Sequence, residues 1–324
     1  MVDNHIIKVD GYCIEPISLI VTCYNEEESV TSWCDSFLAM ESLPQELIIA
    51  DSDSTDNTIR KLREGLSGYP GKLVILEGKC NISAGRNKAI TAASHKKIAV
   101  TDFGVTFHPL WLPKLSDSLD FYDWVGGVYE LVWGNSVEKS FCRLFNTPAD
   151  KLDASSFLPS SRSFGLTRKA FLEVGGYNES LAIGEDTDLV LRLKCSGLTY
   201  QLVREALVYW SPRSTIKSIY IQNYRYAYWD GVASQNHGRW NHIAFWIVLL
   251  AMPIAGAASF NGRGIVPGLL ASIAVLFLKT SRNTRRSCSG LPRPLDMLVY
   301  ATTILASSIG YISGLFSSKG KLAT

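Results

Sequence analysis

No two cysteines in the 324-residue chain are spaced as CxxC, and the seven present (Cys13, Cys23, Cys34, Cys80, Cys142, Cys195 and Cys288) are scattered and odd in number. This speaks against a disulfide framework and for reduced, buried thiols, as in a cytosolic catalytic domain. No basic run interleaved with aromatics appears before Trp210, and the formal net charge is only +2, so nucleic acid is not an expected partner. Met1 to Glu15 lacks the apolar core of a signal peptide, so the first domain is expected to stay where it is made. No GxGxxG follows the first β-branched run, which disfavours the usual dinucleotide fold. Asp102-Phe103-Gly104 has the letters of a kinase DFG, but neither a glycine-rich loop before a VAIK-like strand nor an HRD accompanies it.

What is present divides the chain in two. Ile17–Thr22, Leu47–Ala50, Leu73–Leu76 and Ile98–Val100 read as strands. Ser29–Ala39, a segment carrying Ile59, Leu62 and Leu66, and Ser83–Ala93 read as the helices between them. Such alternation predicts an α/β fold with a mostly parallel sheet covered on both faces, whose ligands bind beyond the carboxyl ends of the strands. Asn25, Glu26, Asp51, Asp53 and Asp102 would converge at that edge. Further on, Glu185, Asp186 and Asp188 crowd the start of a helix running to about Gly197, where acids are favoured by the free N–H groups and the dipole.

The last quarter differs in kind. Ile243–Phe260, Ile265–Leu278 and Leu298–Phe316 are uncharged and apolar, and predict two or three membrane segments, the second being short and broken by Pro267. Lys279, Arg282, Arg285, Arg286 and Arg293 lie between the second and third, whereas the loop Asn261–Gly264 carries only Arg263. The positive-inside rule then places the basic loop, Trp240 and everything before it in the cytosol. Ile216–Trp229, with Ile216, Ile219, Tyr220, Asn223, Tyr224, Ala227 and Tyr228 on one stripe, suits the membrane interface.

Five motifs stand in order: VTCYNEEE after the first strand, IIADSDSTDNT at the second, SAGRNKAI on the third helix, VTDFG after the fourth strand, and GGYNESLAIGEDTDLVLRL before the membrane part. Over Pro16–Gly238 the chain resembles a family 2 glycosyltransferase of the GT-A fold. The expected organisation is an extension (1–15), a catalytic domain (16–210), an amphipathic interfacial segment (211–240) and a membrane region (241–324). The resemblance implies an inverting transfer of one sugar from a nucleotide-diphosphate sugar, by preference a UDP-sugar, to a lipid-linked or membrane-proximal saccharide at the cytosolic face of the cell membrane.

Residue by residue, the resemblance and the chemistry give these roles. Tyr24 would wall the base site beside Glu26. Asp51 would accept the imide N–H of uracil, supported by Asp53, while Asp56 caps a helix. Arg86 has the fork geometry for diphosphate oxygens. Asp102 stands where the family's DxD motif holds Mg²⁺ or Mn²⁺, but the third position is Gly104, so only Asp102 can bind metal there. Asp186 is the implied general base, with Glu185 beside it. Trp210, Arg213, Gln222, Arg225 and Tyr226 are acceptor-side candidates; Gln222 to Tyr226 resembles the QxxRW signature of processive synthases, with Tyr226 replacing Trp. That change, and too few spans for a polymer channel, favour single addition. Arg162 and Ser163 precede the short strand Phe164–Thr167 and stay undecided. Two other readings are a nucleotidyltransferase, against which the acidic VTCYNEEE turn counts, and a non-catalytic nucleotide-binding membrane protein, for which Gly104 is the best support.

Overall fold

The computed structural model describes residues 7–9, 12–181, 183–232, 238–259, 264–287 and 290–321. In chain order these form β1 (Ile7–Val9), β2 (Tyr12–Cys23), α1 (Val30–Leu38), β3 (Ser42–Asp51), α2 (Thr58–Gly65), β4 (Lys72–Glu77), α3 (Ile82–Ala92), β5 (Lys97–Asp102), β6 (Val105–Phe107), α4 (Trp111–Ser118) and β7 (Trp124–Leu131). There follow α5 (Ser136–Phe145), β8 (Phe164–Thr167), α6 (Arg168–Glu173), α7 (Glu185–Cys195), β9 (Tyr200–Trp210), α8 (Ile216–Val232), α9 (Arg239–Ser259), α10 (Ile265–Ser287) and α11 (Pro294–Lys321). Contacts group the chain into two units, 1–130 with 149–210, and 131–148 with 211–324.

In the first unit the sheet order is β4-β3-β2-β5-β8-β7-β9-β6, with β1 paired to β2. β4, β3, β2 and β5 are mutually parallel, while β8 joins β5 antiparallel. The period-2 alternation of the β-branched runs decides which side chains face which helices. Leu19, Val21, Leu47 and Ile49 pack with Trp33 and Phe37 of α1, Leu62 of α2 and Trp111 of α4. Ile20, Ile48 and Ala50 face the other way, onto Ala89 and Ile90 of α3, Phe171 of α6 and Leu189 of α7. The α/β expectation with helices on both faces is met. The first strand is longer than expected: β2 starts at Tyr12, within the stretch read as an extension, and passes Pro16 through a register shift between Glu15 and Ser18. A bulge is where a strand tolerates a residue without an N–H.

The second unit gathers α5, α8, α9, α10 and α11. Residues 131–148 were expected within the catalytic part, yet they group here. Leu144 of α5 packs with Ile219, Val299, Tyr300 and Ile304, and Arg143 pairs with the fully buried Asp296 at 3.1 Å. α8 lies along α11: Cβ atoms at Gly310 and Gly314 would meet the carbonyl oxygens of Tyr224 and Tyr228 at 2.3 and 2.0 Å. The aromatic stripe of α8, expected at a membrane interface, therefore meets a helix at backbone distance, which glycine alone permits.

Three helices are long and apolar enough to cross a membrane: Arg239–Ser259, Ile265–Arg285 and Pro294–Ser317. The second is not short. Pro267 falls in the first turn of α10, where its missing N–H has no intrahelical partner to lose, and the helix runs on through Lys279, Arg282 and Arg285, which were expected in a loop. Arg263, in the expected short loop, lies outside the described residues.

Candidate functional site

Parallel register brings the acidic strand ends together. Cys23 pairs with Asp51, Asp51 with Glu77, and Thr22 with Asp102. The turns after β2 and β3 are laced to each other. Asn25 N–H donates to Ser54 Oγ (2.9 Å), Thr55 N–H to Asn25 Oδ1 (2.8 Å), Glu26 N–H to Thr58 Oγ1 (2.7 Å), and Asn57 N–H to Glu27 Oε2 (3.0 Å). Asn25 (φ 53°) and Asp53 (φ 56°) sit in the left-handed region, which costs a non-glycine residue about 1 kcal/mol or more. The interlacing holds them there. It leaves Tyr24 59% exposed at the edge.

The candidates for the base site differ in what they can offer. Asp51 is buried; its Oδ1 accepts from Ser54 Oγ (2.5 Å) and Cys23 Sγ (3.3 Å), and its Oδ2 from Ser54 N–H (3.0 Å). Burial, then the Asp51 charge, pushes the Cys23 thiol far up, so that bond keeps its proton on sulfur. Glu26 accepts from Ser29 Oγ at 2.8 Å, at the entry to α1. Asp53 is exposed at the turn. Asp56 accepts from the N–H and Oγ1 of Thr58, the capping role expected.

Arg86 departs from its expected role on a diphosphate. It is 1% exposed, and its guanidinium binds Glu185 Oε1 at 2.7 Å and Asp102 Oδ1 at 2.6 Å, lying 5.2 Å over the ring of Tyr177. One guanidinium thus ties the metal-motif strand to the acidic helix. The sequence separation of 16 and 99 residues hid both contacts. Burial opposes the Arg86 charge, but Asp102, Tyr177 and Glu185 outweigh it and hold the group firmly protonated. Glu185 is buried too; burial pushes its carboxyl up, Arg86 pulls it back and Asp186 adds to the rise.

Asp186, next in chain, is half-buried. Its Oδ2 accepts from Ser161 N–H (3.3 Å) and its Oδ1 from Thr187 N–H (3.1 Å). The α7 cap is Gly184 at φ 86°, which has no side chain to satisfy the first N–H groups, so the acids of the first turn take that place. Asp188 instead pairs with Arg192 at 2.7 Å, which also reaches Gly176 O at 2.7 Å. It supports the turn before α7.

The Asp102 carboxylate retains 26% of its exposure, and only Oδ1 is engaged by Arg86. Gly104 has φ 82° and open space around the missing Cβ, so backbone conformation, not crowding, is what keeps a second acid out. Among the described residues no group of three His, Cys, Asp or Glu is arranged to hold a metal. A Mg²⁺ or Mn²⁺ ion needs only one or two carboxylates when substrate phosphates complete its shell, and Asp102 Oδ2 fits that donor set.

Trp210 ends β9 and pairs through Val105 with β6, directly after the Asp102–Gly104 turn. Its indole stacks on Arg162 at 4.3 Å, a contact that sequence reasoning left undecided and no local pattern signals. Arg213, Gln222, Arg225 and Tyr226 belong to the second unit, where Gln222 Nε2 donates to Tyr226 Oη at 3.3 Å.

The family profile for glycosyl transferase family 2 matches residues 18–174, and that for glycosyl transferase family group 2 matches residues 151–311. Among curated relatives, a poly-beta-1,6-N-acetyl-D-glucosamine synthase of Staphylococcus epidermidis is 31% identical over 30% of this chain and 24% of its own. The succinoglycan biosynthesis protein ExoU of Rhizobium meliloti is 27% identical over 58% of this chain and 59% of its own. The match thus spans about a quarter of the first relative's length. The solved mannosyltransferase PcManGT of Pyrobaculum calidifontis, in complex with GDP-Man and Mn²⁺, superposes with a TM-score of 0.65 at 16% identity, covering 93% of this chain and 87% of that one. The strand-end carboxylates, the interlaced base-site turns and these matches lead to one assignment: the chain belongs to glycosyltransferase family 2 and has a GT-A fold followed by apolar helices.

Proposed function

We propose that the protein is an inverting transferase that moves one sugar from a nucleoside-diphosphate sugar to a membrane-held, lipid-linked saccharide acceptor at the cytosolic face. The observation that carries this reading is the Asp102–Arg86–Glu185–Asp186 assembly at the strand ends. In it Arg86 absorbs the charge of two carboxylates, so that Asp186 can remain an anionic proton acceptor without three acids repelling each other.

Tyr24 would lie against the base, with Asp53 on its rim and Asp51 shaping the turn behind; a UDP-sugar remains the preferred donor. Asp102, with the donor diphosphate, would hold Mg²⁺ or Mn²⁺, an ion that supplies charge neutralisation at the leaving group when bound. Asp186 Oδ2 would take the proton of the acceptor hydroxyl as it attacks the anomeric carbon opposite the nucleotide, a contribution of about 10²- to 10⁴-fold. Asp186→Asn keeps the shape and removes the base. It should reduce transfer by that factor and leave the donor dissociation constant within about twofold, measured by calorimetry and product formation on the detergent-solubilised chain. Loss of donor binding in this variant would move the base elsewhere.

Three apolar helices and the cations Lys279, Arg282 and Arg285 toward the end of α10 support anchoring with the catalytic unit on the cytosolic side. Relatives named for extracellular polysaccharide synthesis support a saccharide acceptor.

A further inference from the structure

Arg162 sits at a junction that the assigned roles leave unused. Its carbonyl accepts from Thr101 Oγ1 at 2.8 Å, one residue before Asp102. Its neighbour Ser161 donates its N–H to Asp186 and shares a 3.0 Å hydrogen bond with Tyr177, the ring beneath Arg86. The loop is therefore pinned between the metal-motif strand and the residue assigned as base. The side chain lies 4.3 Å over Trp210 and 5.4 Å over Tyr129, whose rings meet edge to face at 6.0 Å.

A tryptophan at a sugar site ordinarily offers its face to a pyranose. Here a guanidinium lies over that face. Stacking uses the flat face of the guanidinium and not the N–H edge, which is the edge that recognises phosphate. The rim around Asp186 carries negative charge that would repel an anionic acceptor unless a fixed cation met it.

Resting on the transferase reading above, we propose that Arg162, seated on Trp210 and Tyr129, binds a phosphate group carried by the lipid acceptor. The acceptor is then an isoprenoid- or glyceride-type phospholipid or its glycosylated form, and not a neutral glycolipid. The anchor on Thr101 and Asp186 holds the cation within reach of both the donor site and the base.

The test uses the full chain in phosphatidylcholine nanodiscs, titrated with a polyprenyl phosphate, with the matching neutral polyprenol, and with UDP and GDP. The wild type should bind the phosphate lipid about tenfold or more tightly than the polyprenol. Arg162→Gln should erase that preference, Arg162→Lys should keep part of it through charge, and Trp210→Leu should weaken it without removing charge. Nucleotide affinity should stay unchanged in all three, which also reports that the variants are folded. An intact lipid preference in Arg162→Gln overturns the proposal. So does a parallel loss of nucleotide affinity at an unchanged melting temperature, which would assign Arg162 to the donor diphosphate. A wild type that binds nucleotide but shows no phosphate preference refutes this inference alone; one that binds neither nucleotide refutes the transferase reading.

Discussion

Removing the cation that joins the two acidic motifs should destabilise the first unit in a way that depends on pH. Arg86→Met keeps most of the buried stem but leaves Glu185, 8% exposed, and Asp102, 26% exposed, without their partner. Truncating one member of a buried pair costs about 3–5 kcal/mol, most of it at Glu185, because Asp102 can recruit water. Burial already lifts the Glu185 carboxyl and Arg86 restrains it, so the variant lifts it further. The native state then keeps a proton that the unfolded chain releases, and stability falls as pH rises between the unfolded and native values, by about 1.4 kcal/mol per pH unit. Urea unfolding in detergent, followed by the fluorescence of the fully buried Trp33, Trp111 and Trp124, reads this directly. The deficit against wild type should be about 3–5 kcal/mol at pH 8 and distinctly smaller at pH 5.5. Adding Glu185→Gln to Arg86→Met should flatten the pH dependence. A deficit that is equal at both pH values, or larger in acid, would refute the electrostatic coupling.

Elsewhere in the sheet, Glu46 accepts from Ser18 Oγ, Lys72 Nζ, and the N–H and Oγ of Ser94. Burial pushes against its charge, but these bonds win and hold its carboxyl down at about 2. Its contribution, about 3 kcal/mol, should be complete above pH 4.5 and lost as pH falls toward 2, and Glu46→Gln should remove that part of the acid-unfolding curve. Gly104→Asp restores a second acid where space is open but φ is positive. It should cost about 1 kcal/mol in stability while tightening Mn²⁺-dependent donor binding, and a metal titration that does not move would show that the turn aims the carboxylate away. Gly314→Leu drives a side chain into the Tyr228 carbonyl and should lower the melting temperature of the detergent-solubilised protein, whereas Gly290→Ala, outside that seam, should have the smaller effect.

The sequence by itself determined the alternation of strands and helices, the acidic turns at the strand ends and the apolar last quarter, because these rest on local periodicity and on residues within a few positions of each other. The carboxylates could be placed at one edge because parallel strands present their ends together. Tertiary structure decided which of them are available. Asp51 spends its oxygens on Ser54 and Cys23, and Arg86 spends its fork on Asp102 and Glu185, partners that come from other strands and helices. No pattern in SAGRNKAI distinguishes an arginine that meets a phosphate from one buried between two acids. Long-range packing likewise seated Arg162 on Trp210 and drew residues 131–148 to the apolar helices, since shape and charge complementarity between distant segments leave no periodic mark on either one.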